Sequence, residues 1–140
     1  MVFDEKTLQL FENETKNLES QIQSLSDKDI FSISEIVQTY YLVTNVNSLA
    51  NIFAENLKEN TSIAEKIKST DNLISDFNLI THKKILNFLS NSIDEITHDL
   101  QSTNPQNKTK EEIELDAKKF SSLREIMSTR EFVEQYDRGI

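Results

Sequence analysis

Glu95-Ile96-Thr97-His98 is the stretch of this 140-residue chain that comes closest to a reactive centre. A Glu three residues before a His puts a carboxylate and an imidazole on one helix face. Di-iron helical bundles use this spacing, as two opposed pairs joined by Glu residues from other helices. Here the second pair is missing, because the residue three before the other histidine, His82, is Leu79. On one continuous helix His82 and His98 would stand about 24 Å apart and point about 160° away from each other. They cannot share an ion. Glu95 and His98 read as a solvated helix face with a local contact, and neither a metal nor a cofactor is expected.

Other chemistries fail on residue type. The single glycine, Gly139, leaves no loop that could cradle a phosphate or a dinucleotide. The absence of cysteine removes thiolate sites, disulfides and a thiol nucleophile. A Ser or Thr nucleophile would need one of the two histidines as its base. The acidic neighbours Glu111-Glu112 and Asp94-Glu95 are adjacent on a helix and do not face one another, so they read as solvated faces. No catalytic residue is assigned, and the chain is not expected to be an enzyme.

Charge narrows the partners. With 15 basic and 24 acidic residues the chain carries a net charge of −9, which disfavours nucleic acid and anionic membrane. The pairs Lys83-Lys84 and Lys118-Lys119 are too small to reverse this, and no aromatic residues are interleaved for base stacking. No run of about 18 apolar residues is present, so membrane insertion is not expected. Residues 1–6 lack the basic and apolar segments of a signal peptide, and an intracellular protein is expected.

These side chains must be carried on helices. One Gly and one Pro (Pro105) cannot supply the turns that a sheet architecture needs. The expected fold is all-α, an elongated antiparallel bundle or coiled coil of three to four long helices. Asn, Ser and Thr are abundant and are mediocre helix formers, because their side chains compete for backbone hydrogen bonds. Packing, within the chain or against partners, must therefore stabilise the helices.

Residues 1–101 are expected to form a helical hairpin or bundle, with helices over about 4–27, 33–59 and 62–101. The first carries Leu8, Phe11, Leu18, Ile22 and Leu25 at heptad spacing, with Thr15 in the one polar place. The second opens on a capping box, Ser32 and Glu35, with Phe31 and Ile36 as a hydrophobic staple. From Ile36 to Ala54 it carries no charge. A seam through Ile36, Tyr40, Val43, Asn47, Ala50, Ala54 and Leu57 would bury Asn47, where it could fix register; otherwise the seam is displaced and Asn47 lies at its edge. Tyr40 and Tyr41 read as core or interface, and His82 as a core-edge residue with one nitrogen satisfied.

The third helix opens at Ser62 with Glu65, and the polar run Ser69-Thr70-Asp71-Asn72 is a candidate kink. Residues 102–109 form a linker. Thr109 and Glu112 then open a charged C-terminal helix over 110–138. Its apolar residues fall on two sides: Ile113, Ala117, Phe120, Leu123 and Met127 on one; Leu115, Ile126 and Val133 on the other, with Phe132 and Tyr136 leaning towards it. Either the contact face rotates as the chain ends, or two neighbours grip the helix, one of them another chain.

The general character is similar to that of small, cysteine-free, acidic coiled-coil subunits of multiprotein assemblies. The expected function is a non-enzymatic structural or adaptor subunit that pairs with other helical chains, as a hetero-oligomer rather than a homo-oligomer. The expected protein-binding residues are Leu8, Phe11, Leu18, Ile22, Leu25, Tyr40, Asn47, Phe120, Met127, Phe132, Val133 and Tyr136. The alternative is a self-contained bundle, a sensor or carrier, that binds a small apolar ligand among Tyr40, Tyr41, Phe77 and Phe88.

Overall fold

The computed structural model describes residues 5–55, 61–101 and 108–137, and all the regular structure among them is helical. Helices α1 (Glu5–Ser26), α2 (Ile33–Glu55) and α3 (Thr61–Asp76) are followed by a π-helical turn, Phe77–Thr81, and then by α4 (His82–Gln101) and α5 (Lys110–Asp137). The chain forms two compact units, Met1–Lys84 and Ile85–Ile140. The expected linker at 102–109 falls inside the second unit, and its residues 102–107 lie outside those described. So do the expected helix start at Asp4 and the stretch from 56 to 60, which includes Leu57.

In the first unit α1 and α2 run antiparallel. The Phe11 and Phe53 rings meet at one end, with centroids 5.1 Å apart, and Gln21 Nε2 donates to the Glu35 carbonyl at the other, at 3.4 Å. The third strand of helix runs parallel to α1. Lys66 pairs with Glu12 near its start, and Lys84 donates to the Leu25 and Ser26 carbonyls near its end, at 3.3 and 3.2 Å. The last contact closes α1, whose final carbonyls have no helical partner; an ammonium there satisfies them and complements the negative end of the helix dipole. The same ammonium lies 5.7 Å from the centre of the Phe31 ring.

The core follows from the α1 seam. Phe11, Leu18 and Leu25 are buried, seven residues apart, and Leu8, Thr15 and Ile22 are half-buried beside them. Against them α2 buries Ile36, Thr39, Tyr40, Val43, Val46, Ala50 and Phe53. The α2 seam is thus displaced from the register through Asn47 and Ala54, both of which are exposed. Val46 and Phe53 take the inward places: each lies one residue earlier, and burying Val and Phe gains more than burying Asn and Ala.

Two further expectations are corrected. Helix α3 already includes Thr61 and Ser62, so Ser62 is not its cap. The run 69–72 is regular helix: Thr70 is buried and bonds its hydroxyl to the Lys66 carbonyl at 2.9 Å, while Ser69, Asp71 and Asn72 face solvent. The irregularity lies at 77–81, where the His82 N–H bonds back to the Phe77 carbonyl, a five-residue step. A π turn accommodates one extra residue and rotates the following face by about one residue. The buried series Ile63, Thr70, Phe77 therefore continues in the first unit as Thr81 and His82, while Leu79 and Ile80 are left exposed.

The α2 start has the expected capping box. Glu35 N–H donates to Ser32 Oγ at 3.1 Å, and Ser32 N–H donates to Glu35 Oε1 at 2.7 Å. Lys28 Nζ adds an ion pair to Glu35 Oε2 at 2.6 Å. Burial pushes the Glu35 carboxyl up. The hydrogen bonds from Lys28 and Ser32, with the Lys28 charge, outweigh burial and hold it below its ordinary 4.5. A carboxyl lowered by folding stabilises the fold at pH above its unfolded value, and that contribution is lost as pH falls through the lowered folded value. Ser32→Ala is expected to cost about 1 kcal/mol in urea unfolding. Glu35→Gln should be less stable than wild type at neutral pH. The difference should vanish on acidification below the folded value; a difference independent of pH would contradict this role for Glu35.

Candidate protein-binding surface

The nearest approach to a polar centre is buried in the first unit. Tyr40 Oη lies 2.5 Å from His82 Nδ1, in one shared hydrogen bond. The Phe77 ring meets Tyr40 edge-on at 5.3 Å, and the His82 and Tyr40 ring centres are 5.7 Å apart. The extra residue of the π turn puts His82 on the inward face, and α2 supplies Tyr40 from its seam. His82 thus has one nitrogen satisfied, as expected of it, though it lies inside the core and not at its edge: it is 3% exposed. Tyr40 and Phe77, proposed lining of an apolar ligand site, spend their faces on each other and on His82. The groove of about 520 Å³ between α1 and α3 has Phe11 at its base and is otherwise walled by polar side chains such as Thr15, Lys16, Ser62 and Ser69.

Glu95 and His98 are both exposed on α4. Among the described residues no group of three or more His, Asp or Glu side chains could hold a metal ion. No buried side-chain nitrogen or oxygen among them lacks a hydrogen-bond partner. No helix among them is long and apolar enough to cross a membrane.

The residues expected to bind partners divide sharply. Phe11, Leu18, Leu25 and Tyr40 are buried and Leu8 and Ile22 half-buried, so the α1 seam is spent inside the chain. Asn47 is exposed outside the α2 seam. In the second unit the two sides of α5 have different fates. Val133 is fully buried, Thr129 is buried beside it, and Ile126, Phe132 and Tyr136 are half-buried. The opposite side stays open: Ile113 is 57% exposed, Phe120 56% and Met127 53%.

The open side is a stripe along about four turns of helix, with Ala117 also exposed and Leu123 half-buried. Phe120, Leu123 and Met127 border a depression of about 360 Å³ that Arg124 and Glu131 also line. Charges flank the apolar row at both ends. Lys108 pairs with Asp116 beside it, and Arg130 Nε donates to Glu134 at 2.9 Å, four residues on. The Thr109 hydroxyl accepts the Glu112 N–H at 3.2 Å and starts the helix where its spacing predicts. An exposed apolar row edged by charges can receive another amphipathic helix.

No protein-family model, curated protein or solved structure matches this chain.

Lys84, which seals α1, was legible only as half of a weak basic pair; nothing in the spacing of Lys83-Lys84 signals a helix C-terminus 58 residues away. Tyr40→Phe should cost about 1–3 kcal/mol, because it removes the partner of a buried imidazole nitrogen. Thermal or urea unfolding checks this; a neutral substitution would mean that the Tyr40–His82 bond does not hold the core.

Proposed function

We propose that this chain is a non-enzymatic structural or adaptor subunit that associates with other helical chains by coiled-coil or bundle contacts, with α5 as its docking helix. The observation that carries the reading is the pair of opposite faces on α5. The side through Thr129 and Val133 is covered over the C-terminal half of the helix, though Leu115 on that side is 53% exposed, whereas the side through Ile113, Phe120 and Met127 is open along its length. Large apolar side chains that repeat along one exposed helix face are costly to leave in water, and they are the usual signature of a helix-in-groove contact.

The occupant that suits this face is an amphipathic helix of another protein, apolar along its seam and carrying an acidic residue opposite Arg124. Arg124 sits on the apolar row itself and would be desolvated there, so the partner must supply an opposite charge or lose the gain of burial. Two chains of net charge −9 repel, which favours a partner of different composition. The exposure of Phe120 and Met127 supports them as contact residues in this reading, and the burial of Phe11, Leu18 and Leu25 counts against those three.

Phe120→Glu together with Met127→Glu should abolish partner retention in affinity capture and leave the far-ultraviolet circular dichroism unchanged. Phe132→Ala with Tyr136→Ala should instead lower stability, since both residues are half-buried. Retention of the same partner by the Phe120/Met127 variant would refute the assignment of α5.

A further inference from the structure

Lys118 and Lys119 lie on α5 outside its apolar row, and two hydroxyls follow them. The order is Lys118-Lys119-Phe120-Ser121-Ser122, and both serines are exposed. Two ammonium groups two and three residues before a serine form a charge pattern by which a serine/threonine protein kinase selects its acceptor.

A kinase takes its acceptor as an extended segment, so a serine on a helix is modified only where the helix can open. This half of α5 meets that condition. From Lys110 to Ser128 no residue is buried, and Thr129 is the first buried residue of α5. A stretch with few buried contacts opens at low cost. Ser69 on α3 is the contrast. It is exposed and also follows basic residues, Lys66 by three positions and Lys68 by one. There Lys66 is paired with Glu12, and the next residue, Thr70, is buried with its hydroxyl on the Lys66 carbonyl at 2.9 Å. Releasing Ser69 would break the packing of the first unit, whereas releasing Ser121 breaks none of its core.

We infer that Ser121 is a phosphorylation site for a basic-directed serine/threonine kinase, and that its phosphate regulates the α5 docking face; the regulatory half rests on the docking reading above. Ser121 Oγ attacks the γ-phosphorus of magnesium-bound ATP. The Oγ–P bond forms as the bond from that phosphorus to the β,γ-bridging oxygen breaks. ADP leaves with the bond pair, and the hydroxyl proton passes to a carboxylate of the kinase.

Ser121 lies three residues after Lys118 and three before Arg124, a spacing that makes both its neighbours on the helix surface. On a 100° wheel Arg124 falls between Ser121 and the apolar row, about 60° from Ser121 and about 40° from Phe120. A phosphate of nearly two negative charges on Ser121 thus has the Arg124 guanidinium as its cation on the docking side. Arg124 is the charge that a partner's acidic residue has to neutralise. With the phosphate on Arg124, that acidic residue meets an anion in place of a cation, and the partner is released.

The test incubates the full-length chain with a purified kinase of this class, magnesium and ATP, and maps the product by mass spectrometry. Phosphate is expected on Ser121, with Ser69 unmodified. Lys118→Ala with Lys119→Ala should lower the rate at least about tenfold with unchanged helix content, as loss of a charged hydrogen bond does. By phosphorus NMR, the Ser121 phosphate should lose its second proton at lower pH in wild type than in Arg124→Gln, because the guanidinium favours the dianion. The phosphorylated chain should retain at least about tenfold less of the partner that the unmodified chain captures through Phe120 and Met127. Modification of Ser69 in preference to Ser121, or a phosphate titration unaffected by Arg124→Gln, overturns the inference. Full retention of that partner by the phosphorylated chain also overturns it, and leaves α5 as the docking helix. Retention by the Phe120→Glu, Met127→Glu variant refutes the docking reading instead, and the Ser121 site then stands on its mapping and titration.

Discussion

Burial of the α1 seam against α2 is the interaction on which the first unit rests. These helices are rich in Asn, Ser and Thr, and backbone propensity alone holds such sequences weakly. Phe11, Leu18 and Leu25 recur at seven-residue steps, so one straight face of α1 can be sealed along its whole length. Once Ile36, Val43, Val46 and Phe53 have closed on it, the third stretch of helix has only one place to lie. Lys84 ties the end of that stretch to the last carbonyls of α1, and Lys66 ties its start to Glu12.

The third stretch meets that demand through one irregularity. Its inward positions before residue 77 and after residue 81 belong to different helical registers. The π turn absorbs the mismatch and sets Thr81 and His82 inward. A histidine brought into a core needs a partner, and the α2 seam offers the Tyr40 hydroxyl. Tyr40 is therefore a structural residue, spent on holding His82 in the core.

The all-helical character and the starts at Ser32 and Thr109 were legible because their causes are local, whereas the start expected at Ser62 was not observed. A lack of Gly and Pro excludes sheets, and Ser32 with Glu35 or Thr109 with Glu112 announces a helix by a three-residue spacing. The α1 seam was legible because its period is regular. The α2 seam was not: a helix apolar over most of its circumference offers several registers, and only the neighbours decide that Val46 turns inward and Asn47 outward. For α5 the sequence shows two apolar sides of similar strength, but which of them is covered depends on packing that no spacing encodes. Lys84 and the π turn were hidden for the same reason, since both answer the geometry of distant segments.

The central claim is that the chain hides the apolar seam of α1 and leaves one apolar row of α5, Ile113, Phe120 and Met127, uncovered. Amide hydrogen exchange on the isolated chain tests it most directly, because exchange reports how far each segment is held closed. Amides of α2 from Val43 to Ala50 should exchange slowest, and those of α5 from Ile113 to Phe120 should exchange orders of magnitude faster. Protection of Ile113 to Phe120 equal to that of the α2 core would mean that this face is already sealed, and would contradict the claim.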